Sequence, residues 1–185
     1  EYMEVQDERA SFAYLDSLWF PLYLKESSKQ KVFKWIKQKN IFSKNYVSVP
    51  IVCWSHWSLL IFCHFGESIE SKSRTPCMLL LDSPRMADPK RLEPKIRKFV
   101  LDIYKTEERP EQKKLISRLP LLLPSVPHQS NADECGNFVL YFIKLFVESA
   151  PKDFSISEGY PYFMKEDWFE REGFKCFSKK LCRGL

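Results

Sequence analysis

Three side chains have the chemistry of a nucleophile, a base and an orienting acid: Cys135, His56 and Asp82. Cys135 follows the polar stretch His128-Gln129-Ser130-Asn131-Ala132-Asp133-Glu134. It precedes an apolar run, Phe138 to Val147, in which only Lys144 is charged. Ser130, Asn131 and Asp133 are helix-capping residue types, so the spacing predicts Cys135 in the first turn of a helix. There the helix dipole and free N–H groups favour an anion, and the thiolate is the form of cysteine that attacks. Gly136 beside it leaves room for another backbone to approach. The plain alternative is an inert buried cysteine. That alternative gives no reason for a turn-rich polar loop on one side and an apolar helix on the other.

His56 and Asp82 each stand at the end of an apolar run. His56 opens a run from Trp57 to Phe65, and Asp82 closes one from Cys77 to Leu81. If the two runs are strands paired antiparallel across the turn-rich stretch Gly66 to Pro76, the start of one lies beside the end of the other. An imidazole then meets a carboxylate, and Cys135 completes a Cys-His-Asp set. A structural histidine and a capping aspartate are the separate, duller readings. His64 falls at the far end of the same strand, and His128 has no acid to orient it.

The elements that must position these groups follow from periodicity. Tyr46 to Cys53 and Trp57 to Phe65 are rich in β-branched, aromatic and aliphatic residues and read as strands. In the second, Trp57, Leu59 and Ile61 face one side and Leu60 and Phe62 the other, the pattern of a central strand. Trp57 therefore has a core role open to it. The run from Phe138 is apolar all round the helical wheel, which predicts a helix buried on most sides. Further helices are expected over Tyr14 to Leu24, kinked or ended by Pro21, over Ser27 to Lys39 with a stop at Asn40, and over Pro89 to Tyr104. Thr106 to Lys114 reads as charged and mobile, Leu119 to Leu123 as extended, Pro151 to Tyr162 as irregular. Lys165 to Leu181 reads as a closing helix with Trp168, Phe169 and Phe174 turned inward.

With 185 residues, 44% hydrophobic content and only five glycines, the chain is expected to form one α+β domain, residues 1–185, with an N-terminal arm over 1–13. Its apolar runs are too short for a bilayer span and no leader opens it, so a soluble protein without membrane attachment is expected. The net charge of +5 comes from lysines and arginines largely interleaved with acids. Interleaving of that kind reads as solvated helix faces, not a nucleic-acid surface. Six scattered cysteines suit a reducing compartment, the nucleus or cytoplasm. Cys53, His56, Cys63 and His64 lie close in sequence, but neighbours on a strand point to opposite faces, so no metal site is expected.

The blocks Ser55-His56-Trp57, Leu81-Asp82-Ser83 and Gln129-Ser130-Asn131-Ala132-Asp133-Glu134-Cys135-Gly136 resemble, in order and character, the catalytic blocks of the Ulp/SENP cysteine proteases. That family processes and removes ubiquitin-like modifiers, chiefly SUMO. The likeness begins near Lys34, at Trp35-Ile36-Lys37, and runs through Pro50-Ile51 to the end of the apolar helix. Two positions depart from it. Tyr14-Leu15-Asp16-Ser17 stands where the family has Trp-Leu-Asn-Asp, and Glu134 stands where it has aspartate.

The resemblance implies a papain-like α+β fold with a central mixed or antiparallel sheet and a buried helix carrying the nucleophile. It implies a catalytic triad of Cys135, His56 and Asp82, with Gln129 and the backbone N–H of Cys135 as oxyanion donors. It also implies that Trp57 roofs a channel for a Gly-Gly tail, with Tyr14 and Gly136 beside that tail. The expected partner is a ubiquitin-like modifier, SUMO first, bound by a monomer that needs no cofactor. Two other activities fit the same residues: a catalytically idle module that binds the modifier, and an acyltransferase using a similar triad.

Overall fold

A computed structural model describes residues 11–83, 88–151, 156 and 164–183. Five strands form one mixed sheet in sequential order: β1 (Phe12–Tyr14), β2 (Tyr46–Cys53), β3 (His56–Cys63), β4 (Cys77–Leu81) and β5 (Leu121–Leu122). The inner pairs β2–β3 and β3–β4 are antiparallel, and the outer strands β1 and β5 run parallel to their neighbours. β3 is thus the central strand, and its alternation sorts the core in two. Leu60 and Phe62 join one hydrophobic cluster, while Leu59, Ile61 and Cys63 join the other, with Trp57 packed against it.

The first face is covered by α1 (Trp19–Tyr23), α2 (Lys29–Gln38), α3 (Glu93–Thr106) and α4 (Lys113–Ile116). Trp19 anchors this layer: its indole stacks on Phe99 at 4.1 Å, and its Nε1–H donates to the carbonyl of Pro50 at 2.7 Å. β1 reaches only as far as Ser48, so Pro50 stands where β2 has become an edge and a missing donor costs nothing. The Tyr23 hydroxyl donates to Asp102 at 2.8 Å, joining α1 to α3. Leu92, Ile96, Phe99, Val100 and Ile103 are all buried, as their helical spacing predicts. A single 3-10 turn, Pro89–Leu92, leads into α3, and the Asp88 side chain caps it.

The second face is covered by α5 (Cys135–Ser149) and α6 (Arg171–Arg183). α5 buries Cys135, Phe138, Val139, Tyr141, Phe142 and Phe146 and leaves Leu140 and Val147 exposed. Its apolar wheel therefore overstated the enclosure: the helix lies on the sheet with one strip outward. Phe138 packs on Phe174 at 4.2 Å and Phe142 stacks on Trp168 at 5.7 Å. α6 is shorter than expected at its start, because residues 165–170 form turns that set Trp168 and Phe169 against α5.

Other expectations shift at their edges. Phe12–Tyr14 is a strand, not arm or helix, because it pairs with β2; residues 1–10 of the expected arm lie outside the described residues. Pro21 neither kinks nor ends α1, since it sits in the first turn, where no backbone donor is required. α2 ends at Gln38, two residues before Asn40, which takes the left-handed conformation (φ 49°). Thr106 to Lys114 is tied down: Arg109 donates to Glu111 at 2.7 Å and to the Gly66 carbonyl at 3.4 Å, over the Phe42 ring. Most of Pro151 to Tyr162 lies outside the described residues. No helix among the described residues is long and apolar enough to cross a membrane.

Candidate active site

β2 and β3 are joined by a two-residue turn, Trp54-Ser55, with both residues at positive φ (54° and 58°), the geometry of a type I′ hairpin. That turn puts His56 opposite Cys53 as the first residue of the central strand. The β3–β4 register, Leu59 opposite Leu81, carries on to place Asp82 across from Ser58, diagonal to His56 and on the same face. His56 Nε2 meets Asp82 Oδ1, and the Ser58 hydroxyl donates to the same oxygen at 3.3 Å. The carboxylate accepts only, so the imidazole proton is on Nε2, and Nδ1 is left as the nitrogen that exchanges a proton with another group. Both side chains are largely buried, at 16% and 7% exposure.

The nucleophile's loop is fixed to Asp82 through the next residue, Ser83. The backbone N–H of Gln129 donates to the Ser83 carbonyl at 3.1 Å, and His128 Nδ1 reaches that carbonyl at 3.1 Å. The Ser83 hydroxyl donates to Gln129 Oε1 at 2.5 Å. Gln129 Nε2 donates to the Asn131 carbonyl at 2.9 Å, which uses one of its two hydrogens and leaves the other for a ligand. Asn131 then caps a single 3-10 turn, Ala132–Glu134, by accepting from the N–H of Asp133 at 3.1 Å, and α5 begins directly at Cys135. Cys135 is in the first helical turn, as its spacing predicts. Of the three capping candidates Asn131 serves, at the 3-10 turn that leads into the helix, while the Ser130 N–H donates to Glu134 at 3.0 Å.

Glu134 is held from the far end of the chain. Arg171, the first residue of α6, donates to both its oxygens at 2.8 and 2.6 Å and to the His128 carbonyl at 3.4 Å. Burial alone raises a carboxyl's pKa; here the Ser130 N–H and the Arg171 guanidinium outweigh it and hold Glu134 below the usual carboxylate range.

α5 meets β3 at this same end of the strand. A Cβ placed on Gly136 would lie 3.8 to 3.9 Å from three atoms of the Trp57 indole. What approaches Gly136 is thus a side chain, not the backbone its sequence suggests. Trp57 itself is half-buried on the α5 side. Cys135 is 6% exposed. Tyr14 is at the end of β1, 65% exposed beneath Lys39 Nζ at 4.7 Å. His64 is buried at the opposite end of β3 against Tyr46.

The remaining cysteines are a different population. Cys63 and Cys77 face each other across β3 and β4, and burial, reinforced by Cys77, pushes the Cys63 thiol well above its ordinary pKa. None of the six cysteines is in a disulfide. Among the described residues no group of three or more histidines, cysteines and carboxylates could hold a metal ion.

Ser58, Ser83 and Arg171, which hydrogen-bond Asp82, Gln129 and Glu134, were not among the residues expected from the sequence. Ser83 was visible as the residue closing the Leu81-Asp82-Ser83 block. Ser58 could be found from strand alternation, two residues after His56. Arg171, thirty-seven positions beyond its partner Glu134, carried no local signal.

A mixed sheet with a His–Asp pair at the ends of its inner strands, and a cysteine opening the helix packed on that sheet, defines a papain-like cysteine protease fold. The chain belongs to the Ulp1 protease family: residues 21–173 match its C-terminal catalytic domain. It is similar to the probable ubiquitin-like-specific protease 2A of Arabidopsis thaliana, 32% identical over 148 residues, covering 76% of this chain and 19% of that protein. It is also similar to ubiquitin-like protease 4 of Caenorhabditis elegans, 31% identical over 123 residues, covering 64% of this chain and 31% of that one. The chain therefore spans a minor part of these relatives' length. Among solved structures, a de-sumoylating protease superposes with a TM-score of 0.62 at 20% identity, over 93% of this chain and 65% of that one. The Ulp1 protease domain in complex with Smt3, the yeast ortholog of SUMO, gives 0.57 at 19% identity, over 82% and 63%. At such identities the likeness is one of fold.

Proposed function

We propose that the chain is a thiol protease and isopeptidase that cleaves after the C-terminal Gly-Gly of a ubiquitin-like modifier, with SUMO as the preferred one. The observation that carries this reading is the His56–Asp82 pair at the strand ends, with Gly136, the neighbour of Cys135, lying against Trp57, the neighbour of His56. In the proposed cycle Cys135 gives its proton to His56 Nδ1, and the sulfur attacks the carbonyl carbon of the terminal glycine. The oxyanion takes hydrogen bonds from the second Nε2 hydrogen of Gln129 and the backbone N–H of Cys135. His56 returns the proton to the leaving lysine amine, and the C–N bond breaks to leave a thioester. Water, deprotonated by His56, then hydrolyses the thioester and restores the thiol. Asp82 keeps the ring oriented and stabilises its charged form throughout.

Trp57 beside Gly136 suits the roof of a channel that admits glycines and excludes larger side chains. Tyr14, exposed at the end of β1, is assigned to the modifier's surface and not to the channel. Without a disulfide among its six cysteines, the domain suits the nucleus or cytoplasm, acting as a monomer.

The test is turnover of C-terminal fluorogenic amides of SUMO, ubiquitin and other modifiers by the wild type and by Cys135→Ser. SUMO amide is expected to be cleaved by the wild type and not by the variant. Turnover that survives in Cys135→Ser contradicts the mechanism, and a preference for ubiquitin contradicts the assignment to SUMO.

A further inference from the structure

Two residues before His56, at the tip of the β2–β3 hairpin, Trp54 is 54% exposed and takes a positive φ of 54°. Type I′ turns favour asparagine, aspartate or glycine at such positions, and a bulky residue there is strained. The indole adds nothing to either hydrophobic cluster. Two cations lie over it instead: the Arg91 guanidinium carbon at 4.4 Å from the ring centroid and Lys95 Nζ at 4.5 Å. They are four residues apart on the run that enters α3, so they stand on one side of it. Neither has a carboxylate partner among the described residues. The nearby acids are engaged elsewhere, Glu93 with Arg97 at 2.7 Å and Asp88 with the Lys90 N–H at 3.0 Å. The tip is therefore an exposed aromatic face carrying two unneutralised positive charges.

Its position relative to the chemistry follows from the role of His56. The group that protonates the leaving amine must stand on the leaving-group side of the scissile bond. In the proposed cycle, therefore, the hairpin tip that precedes His56 is assigned to the side of the protein from which the modifier is removed.

We propose that Trp54, Arg91 and Lys95 form a docking surface for the target protein, and that it selects acidic residues flanking the modified lysine. The inference rests on the protease reading above. Aliphatic carbons of the bound segment lie on the indole, and its carboxylates pair with the two cations. At a solvent-exposed site such pairs are modest and salt-sensitive, so the surface tunes selectivity without creating activity.

The experiment compares three substrates of one modifier: a C-terminal fluorogenic amide, an isopeptide to a lysine flanked by glutamates, and the same isopeptide flanked by glutamines. The wild type is expected to cleave the glutamate peptide about fivefold faster in kcat/KM than the glutamine peptide, and to lose that preference in about 0.5 M salt. Arg91→Glu with Lys95→Glu is expected to reverse the preference, and Trp54→Ala to slow both peptides. In each variant the fluorogenic amide is expected to turn over within about twofold of the wild type. Equal preference in the wild type and the charge-reversed variant overturns the docking surface. So does a loss on the fluorogenic amide as large as that on the peptides. Failure of the wild type to cleave the fluorogenic amide of any modifier would instead take down the protease reading itself, and this proposal with it.

Discussion

Arg171 grips both carboxylate oxygens of Glu134, the residue immediately before Cys135, at 2.8 and 2.6 Å. The start of the last helix is thereby tied to the start of the helix that carries the sulfur, and the Arg171 contact to the His128 carbonyl extends the clamp along the loop. The chain departs here from the family pattern by one methylene, glutamate for aspartate, and the longer side chain still reaches both Ser130 and Arg171.

Removing the clamp should therefore cost rate more than binding. Arg171→Ala is expected to lower kcat by about ten- to a hundredfold, because small misplacements of a reacting group are costly, with KM little changed. Hydrogen exchange at the Ser130 amide should accelerate in the same variant. Unchanged kcat would mean that the loop holds its shape without α6.

The same pair makes a pH-dependent contribution to stability. The Glu134 pKa is lower in the folded chain than in the unfolded one, so this contribution is present above the unfolded value and is lost as pH falls through the folded value. Thermal melts of the wild type and Glu134→Gln should differ most near neutrality and converge in acid. A constant difference across that range would assign the effect to packing instead of charge.

The Ser83 hydroxyl holds the Gln129 amide by its oxygen. Gln129→Ala is expected to lower kcat by about two to three orders of magnitude, the usual loss for one oxyanion donor. Ser83→Ala leaves the amide in place but frees it to turn, so about tenfold is expected. The double variant should be no slower than Gln129→Ala alone, a coupling that two independent sites would not show.

Two glycines make opposite predictions about the scaffold. A Cβ on Gly66 would lie 1.9 Å from the Phe42 carbonyl oxygen, so Gly66→Ala must move backbone and is expected to destabilise by about 1–3 kcal/mol or more in urea unfolding. Gly136→Ala meets the Trp57 indole at ordinary contact distance and should leave the unfolding midpoint nearly unchanged. If it nevertheless slows cleavage, the space between Gly136 and Trp57 belongs to the substrate.

How much of this was legible in the sequence depends on the range of the interaction. The strands Tyr46–Cys53 and Cys77–Leu81 were readable to the residue, because two-residue alternation and turn-forming neighbours are local signals. Pairing Cys77–Leu81 with the apolar run that follows His56 then gave the antiparallel meeting of His56 and Asp82. Phe12–Tyr14 and Leu121–Leu122 were not readable as strands, since such short pieces owe their state to β2 and β4 beside them. Arg109 shows the same limit: its charged neighbours look like a loose loop until Gly66, Glu111 and Phe42 gather around it. At the candidate site, His56, Asp82 and Cys135 could be picked out by type. Ser58, Ser83 and Arg171, which hydrogen-bond Asp82, Gln129 and Glu134, are ordinary residues whose importance lies in their partners.

The most direct test of the central claim is to trap the sulfur. SUMO bearing a C-terminal electrophile in place of its last carboxylate is incubated with the folded wild type, Cys135→Ser and His56→Ala, and the products are weighed by intact mass. One modifier is expected to be added to the wild type and none to Cys135→Ser, with slow or absent addition to His56→Ala. Addition that persists in Cys135→Ser, or a wild type that remains unmodified by SUMO and by every other modifier, would contradict that claim.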